Sequence, residues 1–496
     1  MASSNQRSTV EREALAGRLP ILSGERVYST YTSFLWTCCT FSAATWAFLI
    51  GGYLPAVGDW RLGAVGYAIG MIIGMAVVTL ASGGPTFKYG TDVVDSAKPS
   101  MGYRGAVIPL FGLLATLLGW SYVLEALTAR GAANVVATIT STSSTSLPHE
   151  HLVICVGLVV LVLAWLITVK GPKLFERLNG YVGPLHMLIT VLMLGVLVHR
   201  YGIGTLWIKQ LPAGQMLTHD RLQGMALAVE FGASNAMTWW PVIGGLTRLA
   251  KRRRHVVGPT VIGAGILGAA FVSSVAALAA ISAGTPDPTI WMISLAGPVL
   301  GTIVMSVVLT ANVATMVVMM YLSAVSIQQV RILARIRWDV LLALMLTPGI
   351  YFAFRTQWLL SEVMTWLSYN GVMFVGIVGI TFVDFYFLRK EEIDPAHLFN
   401  AYGKYAYWGG VNWVAMLIIA LSTWGYLALY DPVTSASSFS FRYMGASFPG
   451  VILSGIAYLV AAKFILKPLG KGSYSGSSGT SKASAEGQTG TIKVAL

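Results

Sequence analysis

The stretch EFGASNAMTWWPVIGG, residues 230–245, combines an apolar segment with polar and helix-breaking residues. Pro241 removes a backbone donor, and the two glycines after it loosen the helix. Glu230 and Asn235 place polar groups among apolar ones, which is costly inside a bilayer. We interpret this stretch as a broken transmembrane helix that carries function, with a simple packing kink as the alternative.

The rest of the chain contains further apolar stretches of similar length. A helix needs about 20 mainly apolar residues to cross the core of a bilayer. We place twelve such stretches, numbered 1 to 12, at 31–54, 61–82, 106–129, 151–169, 181–199, 222–247, 257–284, 293–328, 338–354, 357–386, 411–430 and 446–466. Only 11% of the residues are charged, against about 25% in soluble proteins. The sequence therefore predicts an all-α polytopic membrane protein.

The positions of Lys and Arg predict the orientation. With the N-terminus in the cytoplasm, 26 of the 33 Lys and Arg residues fall on the cytoplasmic side of the twelve stretches. The positive-inside rule therefore predicts a multi-pass protein of the plasma or inner membrane with both termini cytoplasmic. The net charge of +13 is explained by these helix-end clusters and does not indicate a nucleic-acid partner.

Motifs for other functions are absent from the sequence. It has no phosphate-binding loop and no HExxH pattern, and 149–151 (HEH) is interpreted as a solvated loop. We expect no enzyme, no cofactor and no firm metal site. The three cysteines lie in apolar stretches and are expected to be buried free thiols. The Gly/Ser-rich segment 470–496 is predicted to be a disordered cytoplasmic tail.

Four stretches carry unusual polar residues. Stretch 1 has a polar run at 36–42 that includes Thr40, and stretch 3 has Trp120 followed by Glu125. Stretch 6 is the quoted one, with Ser234 and Asn235 beside its tryptophans, and stretch 8 holds several hydroxyl and amide groups: Thr310, Asn312 and Thr315. Broken helices five stretches apart indicate an inverted-repeat secondary transporter. The buried Glu125 and Glu230 indicate proton coupling or a cationic substrate group, with a structural hydrogen bond as the alternative.

Five segments in order along the chain resemble the nucleobase:cation symporters, the permeases for purines, cytosine, allantoin, hydantoin and vitamin precursors. They are 84–105 (GPTFKYGTDVVDSAKPSMGYRG), 119–121 (GWS), 239–251 (WWPVIGGLTRLAK), 384–399 (DFYFLRKEEIDPAHLF) and 405–413 (YAYWGGVNW). The resemblance implies twelve helices, ten of them in a LeuT-like five-plus-five inverted repeat. It divides the chain into an N-terminal tail (1–30), a ten-helix core (31–386), a last pair of helices with the preceding loop (387–469) and the tail (470–496).

The resemblance also implies a heterocycle held between two tryptophans. Trp120 matches the first position and Trp239 the second, with Trp240 beside it as a further candidate. Four positions depart from the family pattern, among them Leu124 in place of a Gln or Asn and Gly245 in place of an Asp. Ala311 follows Thr310 where sodium-coupled members have a second hydroxyl, and Met316 replaces a substrate-binding amide. A sodium ion at Thr310 therefore stays open beside a proton.

We expect a secondary active transporter that imports a small planar nitrogen heterocycle by alternating access, coupled to a proton or sodium gradient. The predicted substrate contacts are Trp120, Trp239, Trp240, Glu125, Asn235, Ser234, Met316 and Thr40, and the predicted coupling residues are Glu230, Thr310, Asn312 and Thr315. The alternatives are a transporter for a cationic metabolite that uses Glu125 and Glu230, and a passive channel. The expected partners are the heterocycle and the lipid bilayer, and a monomer is plausible.

Overall fold

The computed structural model describes residues 20–141, 147–330 and 332–474. Within these ranges the protein is nearly all helical, and its β structure is limited to three isolated bridges, Tyr28 with Ala250, Trp408 with Val411, and Tyr430 with Ser437. This confirms the predicted all-α class.

The helices of the first half are α1 (Tyr31–Ser42), α2 (Thr45–Tyr53), α3 (Trp60–Val78), α4 (Gly84–Tyr89), α5 (Val93–Met101), α6 (Val107–Thr140), α7 (Leu147–Val169), α8 (Pro172–Tyr201) and α9 (Ile203–Ile208). The helices of the second half are α10 (Arg221–Met237), α11 (Trp240–Thr247), α12 (Val272–Ala283), α13 (Pro288–Ala296), α14 (Pro298–Ile327), α15 (Trp338–Ala353), α16 (Thr356–Val383), α17 (Trp413–Leu429), α18 (Phe441–Met444) and α19 (Ser447–Ala461). Four π-helical stretches extend or join them, at Thr79–Gly83, Thr260–Phe271, Asp384–Leu388 and Ala462–Leu466.

The predicted stretches correspond to helices of the structure, but stretches 6 and 11 differ from their helices in length. Eight continuous helices in the described residues are long and apolar enough to span a membrane. Two more pass only as bent pairs, Tyr31–Ser42 with Thr45–Val57 at 55° and Trp338–Ala353 with Thr356–Val363 at 98°. Stretch 6 is divided between α10 and α11, and stretch 11 corresponds to the shorter helix α17. Twelve complete crossings therefore stay a prediction.

The packing partners of the two broken helices follow an inverted repeat. The first broken helix, α1 and α2, packs along the π-helical stretch and α12 of stretch 7. The second, which begins with α10, packs along α3 of stretch 2. A repeat that exchanges stretches 1 and 6 also exchanges 2 and 7, so these two interfaces are equivalent. Helices α6 and α14 of stretches 3 and 8 pack against each other, and the same exchange maps this interface onto itself.

Glycines permit the close approach of α3 and α10. A side chain at Gly70 would overlap the carbonyl oxygen of Val229, and one at Gly232 would overlap the carbonyl oxygen of Tyr67. Small residues at such a crossing let two membrane helices bring their backbones together. This interface fixes the position of α10, which leads into the second break.

The segment before the predicted tail is folded. Tyr474 is buried, and its hydroxyl donates to the Asp384 carboxylate at 2.6 Å and pairs with the Tyr458 hydroxyl at 2.7 Å. The prediction that disorder begins at residue 470 is therefore wrong for 470–474, because an aromatic hydroxyl completes a buried polar cluster there. The other residues of the predicted tail lie outside the described ranges.

Candidate functional site

Each of the two broken helices is interrupted by two residues that are not helical. The first break consists of residues 43 and 44 between α1 and α2, and the second consists of Thr238 and Trp239 between α10 and α11. Pro241 lies in the first turn of α11, where a missing N–H removes no helical hydrogen bond. The proline therefore starts the second half of the helix, and the preceding two residues form the break.

An aromatic cluster occupies the space between these breaks and α6. The Trp46 ring lies 5.7 Å from that of Trp120 and 5.8 Å from that of Trp239, measured between centroids. The Phe41 ring meets Trp239 edge-on at 5.2 Å. A cavity of about 20 Å³ lies among these rings, and its wall is completed by Thr116, Leu117, Asn235, Thr238, Val242 and Met319. A cavity of this size holds about one water molecule, so a heterocycle needs the rings to move apart.

A larger vestibule adjoins this small cavity. Its volume is about 280 Å³, and it shares Asn235 and Thr238 with the small cavity. Ser234 and Glu230 line it, together with loop residues at the end of the bundle that the charge pattern predicts to be extracellular. The vestibule and the small cavity therefore adjoin at Asn235 and Thr238.

The neighbouring tryptophans of the second break have different surroundings. Trp239 lines the cavity, whereas Trp240 is fully buried elsewhere. The Trp240 ring stacks on Phe374 at 6.0 Å, and its Nε1–H donates to the Thr381 hydroxyl at 3.4 Å. The prediction that Trp240 contacts the substrate is not supported by this position. Asn235 lies at the cavity and donates from Nδ2 to the Tyr67 hydroxyl at 2.7 Å.

The polar face of α14 stabilises the first break. The Asn312 Oδ1 accepts hydrogen bonds from the Thr45 backbone N–H at 2.9 Å and from the Thr45 hydroxyl at 2.6 Å. The Asn312 Nδ2 donates to the Thr128 hydroxyl at 3.1 Å. The Thr315 hydroxyl lies 3.5 Å from the Thr40 carbonyl oxygen at the end of α1. Thus Asn312, Thr315 and the Thr40 backbone lie together at the break, whereas Thr40, a predicted substrate contact, does not line the small cavity.

Two predicted residues of α14 do not join this group. Thr310 lies on the exposed side of the helix and donates to the Val307 carbonyl oxygen at 2.6 Å. The structure therefore does not bring Thr310 to the break, because the helix turns that hydroxyl outward. Met316 is buried in the helix packing, and Met319, about one turn later, reaches the cavity instead.

Glu230 is bonded to the start of α19. Its Oε2 accepts the backbone N–H groups of Ala446 at 2.7 Å and Ser447 at 2.9 Å, and its Oε1 accepts the Ser447 hydroxyl at 2.5 Å. Gly445 has a φ of 65°, and a side chain there would come within 2.9 Å of Oε2. Glu230 therefore makes the structural hydrogen bonds that the sequence left open as the alternative to proton coupling, and its carboxylate caps a helix N-terminus.

Glu125 has the opposite environment. It is 1% exposed, and neither carboxyl oxygen has a hydrogen-bond partner among the described residues. The group lies between Gly157 of α7 and Gly349 of α15, where an added Cβ would come within 3.0 Å of Oε1 and Oε2 respectively. The linings of the small cavity and of the vestibule do not include it, so the structure separates Glu125 from the tryptophans.

Several residues of the cavity wall were not predicted from the sequence: Phe41, Trp46, Thr116, Thr238 and Met319. A signal existed for Trp46, because it lies four residues after the polar run 36–42 and belongs to the same broken helix. The residues that face inward on α14 depend on the rotation of that helix, which its nearly uniform hydrophobicity leaves open.

Comparison with known proteins finds similarity to permeases. The family model described as permease for cytosine/purines, uracil, thiamine, allantoin matches residues 20–445. The allantoin permease of Bacillus subtilis (strain 168) is 29% identical over 112 residues, which is 22% of this chain and 22% of that protein's length.

Solved structures share the fold. The nucleobase-cation-symport-1 family transporter Mhp1, in a closed conformation with bromovinylhydantoin bound, matches with a TM-score of 0.72 at 15% identity, covering 91% of this chain and 96% of that one. A Na⁺-coupled sialic acid symporter matches with a TM-score of 0.57 at 13% identity, covering 90% and 91%. These likenesses confirm the LeuT-like inverted-repeat fold. With a family model that matches most of its length, the chain belongs to the family of permeases for cytosine/purines, uracil, thiamine and allantoin.

Proposed function

We propose that this membrane transporter imports a small planar nitrogen heterocycle by alternating access, driven by a proton or sodium gradient. The observation that carries the proposal is the aromatic cavity at the meeting point of two broken helices, with Trp120 and Trp239 in its wall. Flat bases stack on aromatic faces with about 1–3 kcal/mol per base in single-stranded nucleic-acid complexes. Asn235 and Thr238 supply polar groups at the edge of the same cavity.

The vestibule supports an alternating-access carrier. It leads from the predicted outer loops to a cavity of about 20 Å³, which is too narrow for a continuous polar pore. Substrate entry would separate the rings, and closure around the substrate would precede opening on the other side. The family membership and the bound hydantoin of the Mhp1 structure support a heterocycle as the cargo.

A neutral ring fits this site better than a cationic metabolite. A cationic substrate needs a carboxylate that is free to face it, and Glu125 lies away from the cavity. Glu230 lines the vestibule, but donors of α19 occupy its oxygens. For the coupling ion, Asn312, Thr315 and the Thr40 carbonyl are the oxygen groups at the first break.

The test measures ligand binding and uptake separately. Purified protein is screened by thermal shift against hydantoin, allantoin, uracil, cytosine, hypoxanthine and thiamine, since a ligand of the folded state raises the melting temperature. Uptake into proteoliposomes is then measured with a pH gradient alone and a sodium gradient alone. We expect Trp120→Ala and Trp239→Ala to lower affinity at least about tenfold, with loss of stacking as the cause. Trp424→Ala, on an exposed face of α17, is the matched control.

Normal binding in both single variants would overturn the stacking site. Conductance in planar bilayers at a rate beyond that of a carrier would support a channel instead. If neither gradient drives accumulation while the heterocycles still bind to the protein, the transport part of the proposal fails and the binding part stands.

A further inference from the structure

The Trp46 side chain lies where a third wall of the proposed site would be. It belongs to the first turn of α2, directly after the break, and it is 3% exposed. Its ring is the one that lies within 6 Å of both Trp120 and Trp239, at interplanar angles of 51° and 55°. The Trp46 ring is therefore tilted against both of the other rings.

Two sets of contacts hold Trp46 in this position. The Trp46 Nε1–H donates to the Phe41 carbonyl oxygen at 3.2 Å, across the break. The preceding residue, Thr45, is bound through its N–H and its hydroxyl to Asn312 of α14. The indole is therefore held at the break by its own hydrogen bond and by those of the residue before it.

We propose that Trp46 sets the size of the substrate, as the wall that limits how far a ring substituent can extend between Trp120 and Trp239. This inference rests on the proposed function, since it concerns the same cavity. With the indole in place, the cavity measures about 20 Å³. Removing the indole opens a void on the order of 100 Å³ or more, and engineered apolar cavities of about 150 Å³ bind benzene. The wild type should thus favour an unsubstituted ring, and the enlarged site should accept an aromatic substituent.

The experiment compares each parent ring with a benzyl derivative. The probes are hydantoin with 5-benzylhydantoin, uracil with 5-benzyluracil, and hypoxanthine with 9-benzylhypoxanthine, titrated calorimetrically into detergent-purified protein. For the parent ring that binds, we expect Trp46→Ala to shift the affinity ratio at least about tenfold toward the benzyl derivative, as burial of a phenyl group requires.

Trp366→Ala is the matched control. The Trp366 ring meets Trp120 edge-on at 5.3 Å, but it lies outside the residues that line the cavity. Its removal should leave the affinity ratio unchanged. Trp46→Phe keeps a smaller ring, so it should shift the affinity ratio about two- to threefold. This variant provides the test if Trp46→Ala does not fold.

The outcomes separate the two proposals. Parent rings that bind the wild type, with an unchanged ratio in Trp46→Ala and in Trp46→Phe, would overturn the role of Trp46 alone. An equal shift in Trp366→Ala would also overturn it, because general loosening around Trp120 would then explain the effect. Failure of every parent ring to bind the wild type would overturn the proposed substrate class, and the size rule with it.

Discussion

Glu125 and Glu230 are both buried in the membrane-spanning part of the protein, at 1% and 2% exposure, yet their surroundings have little in common. Glu230 accepts hydrogen bonds from the first residues of α19, whereas the oxygens of Glu125 have no hydrogen-bond partner among the described residues. Burial therefore fails to distinguish a structural carboxylate from one available for another role. The difference lies in the donors, and those of Glu230 come from a helix more than 200 residues away in sequence.

The largest expected effect comes from removing the Glu230 carboxylate. Glu230→Ala leaves the N–H groups of Ala446 and Ser447 and the Ser447 hydroxyl without their acceptor. Unsatisfied buried donors and a lost helix cap together should lower the free energy of unfolding by about 2–4 kcal/mol. The measurement is the denaturation midpoint of the purified protein.

Glu230→Gln provides the finer comparison. The amide keeps one acceptor oxygen, so we expect a smaller loss of stability than in Glu230→Ala. Glu362→Ala, at an exposed position of α16, is the control and should have little effect. A Glu230→Ala variant as stable as Glu362→Ala would remove the distinction between the two buried glutamates.

A third buried carboxylate, Asp95 of α5, lies between these extremes because it has a cation beside it. Lys98 Nζ lies 2.5 Å from Asp95 Oδ1 in the loop helix between stretches 2 and 3. Burial raises the pKa of Asp95 from its ordinary 3.8 to about 6, although Lys98 acts to lower it, and the nearby Asp92 raises it further.

The expected pH effect on stability follows from the sign of this shift. Between pH 3.8 and about 6 the folded protein holds more protons on Asp95 than the unfolded chain does. The contribution of Asp95 to stability therefore falls as the pH rises through this window. The melting temperature should fall by a few degrees as the pH rises from 4 to 7, and the fall should be smaller in Asp95→Asn. A decline of the same size in Asp95→Asn would assign it to other groups.

The sequence predicted the fold well because the fold depends on local signals. Apolar length, the distribution of Lys and Arg and the irregular residues around Pro241 are each readable within one stretch. These residues predicted a break in stretch 6, and the structure places it at Thr238 and Trp239, just before Pro241. The placement of two such breaks five stretches apart indicated an inverted repeat, and the family resemblance implied its LeuT-like form.

The site was harder to predict because it depends on the rotation of each helix. Trp239 and Trp240 are adjacent in sequence, but one lines the cavity and the other packs against Phe374. On α14, the register decided that Asn312 faces the break while Thr310 faces outward. The donors to Glu230 could not be inferred either, since they are backbone groups of a distant loop and helix start.

The smallest expected effect, and the sharpest test of the comparison, is Glu125→Gln. Glutamine has the same shape as glutamate, so the fit between Gly157 and Gly349 is kept, and no observed hydrogen bond is lost. Because neither carboxyl oxygen of Glu125 has a hydrogen-bond partner among the described residues, the substitution should leave the free energy of unfolding unchanged or raise it by up to about 1 kcal/mol. If Glu125 carries the coupling proton, the variant should still bind and exchange substrate but should no longer accumulate it against a gradient when only the pH differs. Glu230→Gln should show the reverse pattern, with reduced stability and coupling retained. A loss of stability in Glu125→Gln as large as in Glu230→Ala would mean that Glu125 also has a structural partner, and the contrast between the two glutamates would no longer hold.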